Sequence, residues 1–192
     1  MKNIGLFCGS NSGNDGIYAA ATQAMVRAIG DAGLGIVYGG GNIGLMGVVA
    51  EAGLAAGVNV TGVTPRRLLE REMVHTGLTE LHVVESMHER KVMMGELSDA
   101  FIALPGGMGT LDEFFEMVTL NQLGVQSKPC GLLNVGGYFD HLRAFMDHAV
   151  KARFINPAHR DMIVLDDDPR RMVTKLAGWT MPQTSKWMDL KR

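Results

Sequence analysis

The chain has 192 residues, a length that at roughly 150 residues per domain predicts one compact unit able to bury about 70% of its unfolded surface without staples. Eighteen Lys and Arg against 20 Asp and Glu leave a net charge of −2, and a pI near 6.3 lacks the basic excess of a nucleic-acid binder. No apolar stretch reaches the ~18 residues of a membrane span, and the first apolar run is shorter than the roughly 7–15 residues of a secretory core, so a cytoplasmic protein off the membrane is expected.

Seven short apolar runs recur, at residues 4–7, 35–38, 58–63, 81–84, 100–104, 131–133 and 163–165. Each is followed by a stretch of helical period, and that alternation reads as α/β. The runs are continuously apolar, as parallel strands covered on both faces require. Three helices show apolar stripes at three- and four-residue spacing: Ile17, Ala21, Ala24, Ala28 and Ile29; Leu111, Phe114, Phe115 and Val118; Leu142, Phe145, Met146 and Ala149. No linker, repeat or low-complexity tract interrupts the chain. Residues 1–179 are therefore expected to form a single domain, with 180–192 as a C-terminal tail. In such a sheet the ligand crevice lies beyond the carboxyl ends of the strands, so the loops after strands are where chemistry is sought.

Glycine, 25 residues or about 13% against a usual 7%, clusters in those loops. After the second strand comes Gly39-Gly40-Gly41-Asn42-Ile43-Gly44-Leu45-Met46-Gly47, followed by a helix expected over 48–56. Gly39, Gly41 and Gly44 satisfy GxGxxG, which lets backbone amides approach an anion at a helix N-terminus. A dinucleotide site would add Asp or Glu about 20 residues on. The chain offers Thr64-Pro65-Arg66-Arg67 there, which disfavours NAD and leaves NADP on Arg66 or Arg67 as a minor option. The alternative is glycine kept for close helix-to-sheet packing.

The helix predicted around Met87-His88-Glu89-Arg90-Lys91-Val92-Met93-Met94 sets Met87, Arg90, Lys91 and Met94 on one stripe. From the residues alone this is a solvated face with snorkelling cations, although Met87, Met93 and Met94 are also suited to lining a base pocket. After the fifth strand the chain reads Pro105-Gly106-Gly107-Met108-Gly109-Thr110-Leu111-Asp112-Glu113-Phe114-Phe115-Glu116. The glycines permit positive φ, and Thr110 is expected as helix N-cap. This second anion nest lacks the Lys of a P-loop and suits a monophosphate. Asp112, Glu113 and Glu116 would complement the helix dipole in the first turn. A carboxylate beside a phosphate nest repels its ligand, however, so Glu113 stands out as functional, while for Glu116 the two accounts weigh equally.

Six histidines form no HxH or HExxH, and no metal site is expected. Cys8 and Cys130 suit neither a disulfide framework nor a metal cluster, and Cys8 reads as a packed thiol at a strand end. Ser10 in Gly9-Ser10-Asn11-Ser12-Gly13 does not meet GxSxG.

Taken together, residues 38–47 (YGGGNIGLMG), 87–91 (MHERK) and 105–113 (PGGMGTLDE) resemble the LOG, or Lonely Guy, family of cytokinin-activating phosphoribohydrolases, whose members have also carried a lysine decarboxylase label. The resemblance runs from Ile4 to about Val164. It implies a Rossmann-like doubly wound fold and hydrolysis of the N-glycosidic bond of an N6-modified adenosine 5′-monophosphate to free base and ribose 5-phosphate, with no metal or cofactor. It further implies that Arg90 and Glu113 are the catalytic pair and that Gly107, Met108, Gly109 and Thr110, in the nest begun by Gly106, hold phosphate and ribose. Lys91, Glu72 and Thr119 fall at substrate contacts; Cys8, Gly9 and Ser10, with Gly39, Gly40 and Gly41, border the same crevice. The resemblance also implies a homodimer with the site near the subunit interface, as is common among family members of this length. Asp112 stands where many plant members carry Glu. Other readings on the same fold are a nucleosidase for plain AMP or a pyrimidine monophosphate, and a nucleotide-binding module without catalysis.

Overall fold

The computed structural model describes residues 1–69 and 73–182. Glu72 and most of the expected tail therefore lie outside the described residues. The order is β1 (Asn3–Phe7), α1 (Gly16–Asp31), β2 (Gly35–Tyr38), α2 (Gly44–Ala55), β3 (Val60–Pro65), α3 (Arg66–Leu69), β4 (Glu80–Val84), α4 (Met87–Leu97), β5 (Ala100–Ala103), α5 (Met108–Gln122), β6 (Cys130–Leu133), a 3-10 turn (Val135–Gly137), α6 (Asp140–Lys151), α7 (Pro157–Arg160), β7 (Ile163–Asp166) and α8 (Pro169–Ala177). All seven predicted strands are present, within two residues at each end.

The strands form one sheet in the order β4-β3-β2-β1-β5-β6-β7, every pair parallel. Alternate side chains pack against helices on opposite faces. Ile4, Leu6, Ile36 and Ile102 meet Met25 and Ile29 of α1, Val49 of α2 and Met172 of α8. Phe7, Val37, Phe101 and Leu132 meet Met94 of α4, Phe114 of α5 and Met146 of α6. Gly5 makes room on the second face: a Cβ there would come 2.7 Å from the Phe101 ring, which stacks on Phe7 with centroids 5.7 Å apart.

Helix starts are fixed locally. The Asp15 carboxylate accepts from Ile17 N–H at the head of α1, and Ser86 Oγ accepts from Glu89 N–H at the head of α4, with the Glu89 carboxylate reaching back to Glu85 N–H. Two stripes are corrected. In α1 the buried arc runs through Thr22, Met25, Val26, Ala28 and Ile29, leaving Ile17 42% exposed. In α6 Phe145 points outward, because Met146 and Ala149 suffice to meet the sheet. The second helix begins at Gly44, four residues before expectation.

The chain leaves β1 toward β2, β3 and β4, then returns to β5 on the other side of β1. Connections on the two sides therefore diverge above the C-terminal ends of β1 and β5, which opens a crevice at that switch point. Among the described residues no helix is long and apolar enough to cross a membrane.

Candidate active site

A cavity of about 450 Å³ occupies this crevice, walled by the loops after β1, β5 and β6 and by α2, α4 and α5. Its size lies within the roughly 300–1,000 Å³ typical of small-molecule sites.

One wall is the glycine loop entering α5. The helix starts at Met108 with Gly107 as N-cap, so Thr110 lies within the first turn and is no cap, and Asp112, Glu113 and Glu116 lie beyond that turn. Dipole complementarity, which fades within one turn, does not account for the acidic residues. Nor do the loop glycines serve positive φ: Gly106, Gly107 and Gly109 all lack it. Gly106 is needed for space, since a Cβ there would fall on Thr110 Oγ1 and 2.8 Å from Gly9 N. Gly107 and Gly109 are exposed, have nothing within 4 Å of a would-be Cβ, and line the cavity. The loops are laced together: Gly9 N–H donates to Pro105 O at 3.0 Å and Leu45 N–H to Gly9 O at 3.0 Å.

The other wall carries Arg90 and Glu113, whose side chains are 9% and 12% exposed and meet in an ion pair at 3.0 Å. The solvated stripe expected from residue types alone is overturned for Arg90. β2 ends opposite Gly62 of β3, so beyond that pairing the carbonyls of Gly39 and Val63 are left to the guanidinium. Arg90 Nε donates to Val63 O at 3.0 Å, Nη2 to Gly39 O at 3.2 Å and Nη1 to Glu113 Oε1 at 3.0 Å. Three of its five N–H groups thus fix its plane. Burial pushes the Glu113 carboxyl above its ordinary pKa, against the opposing pull of Arg90, with Asp112 adding to the rise. The carboxylate is therefore more basic than a surface glutamate.

Lys91, the next residue on α4, points sideways to α5 and pairs with Glu116 at 2.6 Å and Asp112 at 3.1 Å. The Glu116 bond, against partial burial, raises its pKa and holds the amine cationic. Two adjacent charge contacts thereby fasten α4 to α5. Cys8 lies under the cavity, 9% exposed, and burial together with the nearby Glu113 carboxylate keeps its thiol protonated. It is a packed thiol at the crevice and no nucleophile.

The structure gathers Ser10, Met87, Arg90, Gly106, Gly107, Met108, Gly109, Thr110 and Glu113 around one cavity, with Asp112 at its edge. Other expected positions lie elsewhere. Gly39, Gly40 and Gly41 are buried outside the cavity wall, Gly39 against the Arg90 guanidinium, and Gly41 bridges to Val74. Lys91 and Glu116 form an ion pair away from the cavity wall, and Thr119 is exposed with its hydroxyl on Phe115 O. Sequence reasoning missed Tyr18 and Tyr138, which line the cavity edge-on with ring centroids 5.6 Å apart. The signal was available, since Tyr138 follows a Gly-Gly pair in the loop after a strand. Among the described residues no group of three or more His, Cys, Asp or Glu is gathered as metal ligands.

Comparison with known proteins adds the following. Residues 46–176 match the family described as possible lysine decarboxylase. A cytokinin riboside 5′-monophosphate phosphoribohydrolase of Rhodococcoides fascians is 46% identical over 87% of this chain and 85% of its own length. The enzyme of the same name, LOG1, of Arabidopsis thaliana is 45% identical over 93% of this chain and 84% of its own. Among solved structures, a molybdenum cofactor binding protein of Rippkaea orientalis has a TM-score of 0.67 at 19% identity, over 92% of this chain and 95% of that one. The molybdenum cofactor carrier protein of Chlamydomonas reinhardtii gives 0.68 at 17%, over 93% and 99%. At that identity the two share the fold with this chain.

Proposed function

The chain belongs to the LOG family of cytokinin riboside 5′-monophosphate phosphoribohydrolases, and we propose that it hydrolyses the N-glycosidic bond of an N6-modified adenosine 5′-monophosphate, releasing free base and ribose 5-phosphate. One observation carries this most directly: a buried Arg–Glu pair and the amide end of a helix open onto the same cavity. Gly109, Thr110 and Glu113 are spaced at i, i+1 and i+4, so the carboxylate shares a helix face with the first-turn amides. At about 1.5 Å per residue it stands roughly 8 Å along the axis from Met108, the interval a sugar fills between a phosphate and its anomeric carbon.

The chemistry follows from that placement. A 5′-monophosphate on the amides of residues 107–110 supplies binding energy away from the broken bond and orients the ribose. As the C1′–N9 bond lengthens, positive charge grows on the sugar, and the Glu113 carboxylate stabilises it. The same basic carboxylate draws a proton from the water whose oxygen bonds to C1′. The base leaves with the electron pair of the old bond and takes up a proton. Arg90, fixed by the Gly39 and Val63 carbonyls, holds the carboxylate in place. Ser10 and Met87 complete the binding wall, and Lys91, with Asp112 and Glu116, holds α5 against α4.

The decarboxylase label fits less well. A Schiff-base lysine needs a free amine, whereas Lys91, the lysine on the helix flanking the cavity, is kept cationic by Glu116 and Asp112. We also infer one domain over residues 1–179, supported by a single sheet with continuous cores on both faces, and a cytoplasmic homodimer, supported by the family resemblance; sedimentation analysis tests the dimer.

The decisive experiment incubates purified protein with AMP, isopentenyladenosine monophosphate and a pyrimidine monophosphate and quantifies released base and ribose 5-phosphate. Fastest release from the N6-substituted nucleotide is expected. Binding without release would leave a nucleotide-binding module.

A further inference from the structure

The peptide between Gly106 and Gly107 is flanked on both sides by residues without a Cβ, the arrangement least able to resist rotation of a peptide plane. A trans peptide directs its carbonyl and its N–H in opposite directions. If this plane turned over, the Gly106 oxygen would take the place of the Gly107 N–H at the N-cap of α5 and oppose any anion bound there. One side chain holds it. The Tyr138 hydroxyl donates to Gly106 O at 2.6 Å, reaching from the loop after β6 to the loop after β5.

Tyr138 is itself built to stay put although 40% exposed. Gly136 and Gly137 both adopt left-handed backbone, φ 56° and 73°, which turns the chain back within four residues of β6. Tyr138 N–H closes that turn on Val135 O at 3.0 Å, and Phe139 N–H donates to Asn134 Oδ1 at 2.7 Å. The ring rests edge-on against Tyr18, which lies over Gly13 in the loop after β1. Ile17 sits over Gly136, where a Cβ would come 2.8 Å from its Cδ1; this contact accounts for a residue that the α1 stripe left outside the core.

We infer that Tyr138 is a positioning residue: its hydroxyl locks the Gly106–Gly107 peptide with the amide facing the ligand's anionic group, so the loop after β6 governs affinity for the phosphate end of the substrate. The inference rests on the proposed reading of the glycine loop as a phosphate cradle and deepens it.

Tyr138→Phe keeps the ring and removes the bond. The KM for a nucleoside 5′-monophosphate should rise about three- to tenfold, the net worth of one hydrogen bond, with kcat within about twofold of wild type and an unchanged melting temperature. Calorimetric affinity for ribose 5-phosphate should fall by the same factor, while hydrolysis of the unphosphorylated nucleoside stays the same. Unchanged KM and unchanged ribose 5-phosphate affinity overturn the inference. Equal losses on nucleotide and nucleoside, or a lowered melting temperature, also overturn it, because they mark a general structural role. Should the wild-type protein release no base, the hydrolase reading fails by itself and the ribose 5-phosphate titration still decides: weaker binding by Tyr138→Phe upholds the role of the hydroxyl, and equal binding or none in either protein removes it.

Discussion

The guanidinium of Arg90 fills the space in which a side chain on Gly39 would begin, so that a Cβ at Gly39 would lie on Nη2. The glycine after β2 is thus required by an arginine 51 positions away, whose Nη2 it also receives on its carbonyl. Gly39→Ala should drive Arg90 out of its plane and cut turnover at least about 100-fold, while overpacking lowers stability by about 1–3 kcal/mol. Steady-state kinetics and thermal melting on the same sample measure both; wild-type turnover in this variant would show that the Arg90 geometry is not needed.

Glu113→Gln preserves an oxygen for Arg90 and removes the charge. Turnover should drop by about 10² to 10⁴, the usual contribution of a general acid or base, with the fold retained. Arg90→Ala should also be inactive and should lower the melting temperature more, because it leaves a buried carboxylate without its cation. Comparable activity in either variant and the parent would remove that residue from the mechanism.

The raised pKa of Glu113 fixes the acid side of the pH profile. In the proposed mechanism the ionised carboxylate acts, so kcat/KM should decline as pH falls through a value above the ordinary glutamate pKa of about 4.3. For stability the sign is opposite to that of a paired surface carboxylate. A folded pKa above the unfolded one favours the fold at low pH, and that advantage is lost as pH rises through the folded value. Glu113→Gln therefore lifts an ionisation penalty at neutral pH. An acid limb at or below the ordinary value would contradict this.

Away from the site, Asp166 at the end of β7 has a side chain only 3% exposed and accepts from Arg171 at 2.8 Å and Lys175 at 2.7 Å. Burial works against its charge, but these bonds and the Asp168 amide hold its carboxyl well below the usual range. The resulting stability is present above the ordinary Asp pKa of about 3.9 and fades as pH falls toward the folded value. Asp166→Asn should be less stable by about 1–2 kcal/mol at neutral pH, the low end for charged hydrogen bonds because both cations are half exposed. Denaturant unfolding at pH 7 and pH 3 should show the gap narrowing; a constant gap would mean that charge plays no part.

Strands were legible because parallel sheet demands unbroken apolar runs, and 35–38 or 100–104 could be little else. The glycine loop and Glu113 were legible because a helix entry crowded with glycine and followed by carboxylates breaks the usual pattern. Arg90 was not, on residue type alone. An arginine on a stripe with methionines looks solvated, and only the ending of β2 at Tyr38, opposite Gly62, supplies the spare carbonyls that make its burial tolerable. Thr110 was misplaced as a cap because Gly107, without any side-chain cap, starts the helix three residues earlier. Tyr18 and Tyr138 escaped notice because their meeting joins elements 120 positions apart, beyond what local spacing encodes.

The Arg90–Glu113 contact straddles β1. Its cation is seated on the carbonyl that follows β2 and on one of β3, and its anion rides on the helix that follows β5. Neither flank of the sheet carries a working centre by itself. In the proposed mechanism, chemical competence therefore requires both flanks to be docked on the first strand, so activity would report their joint assembly.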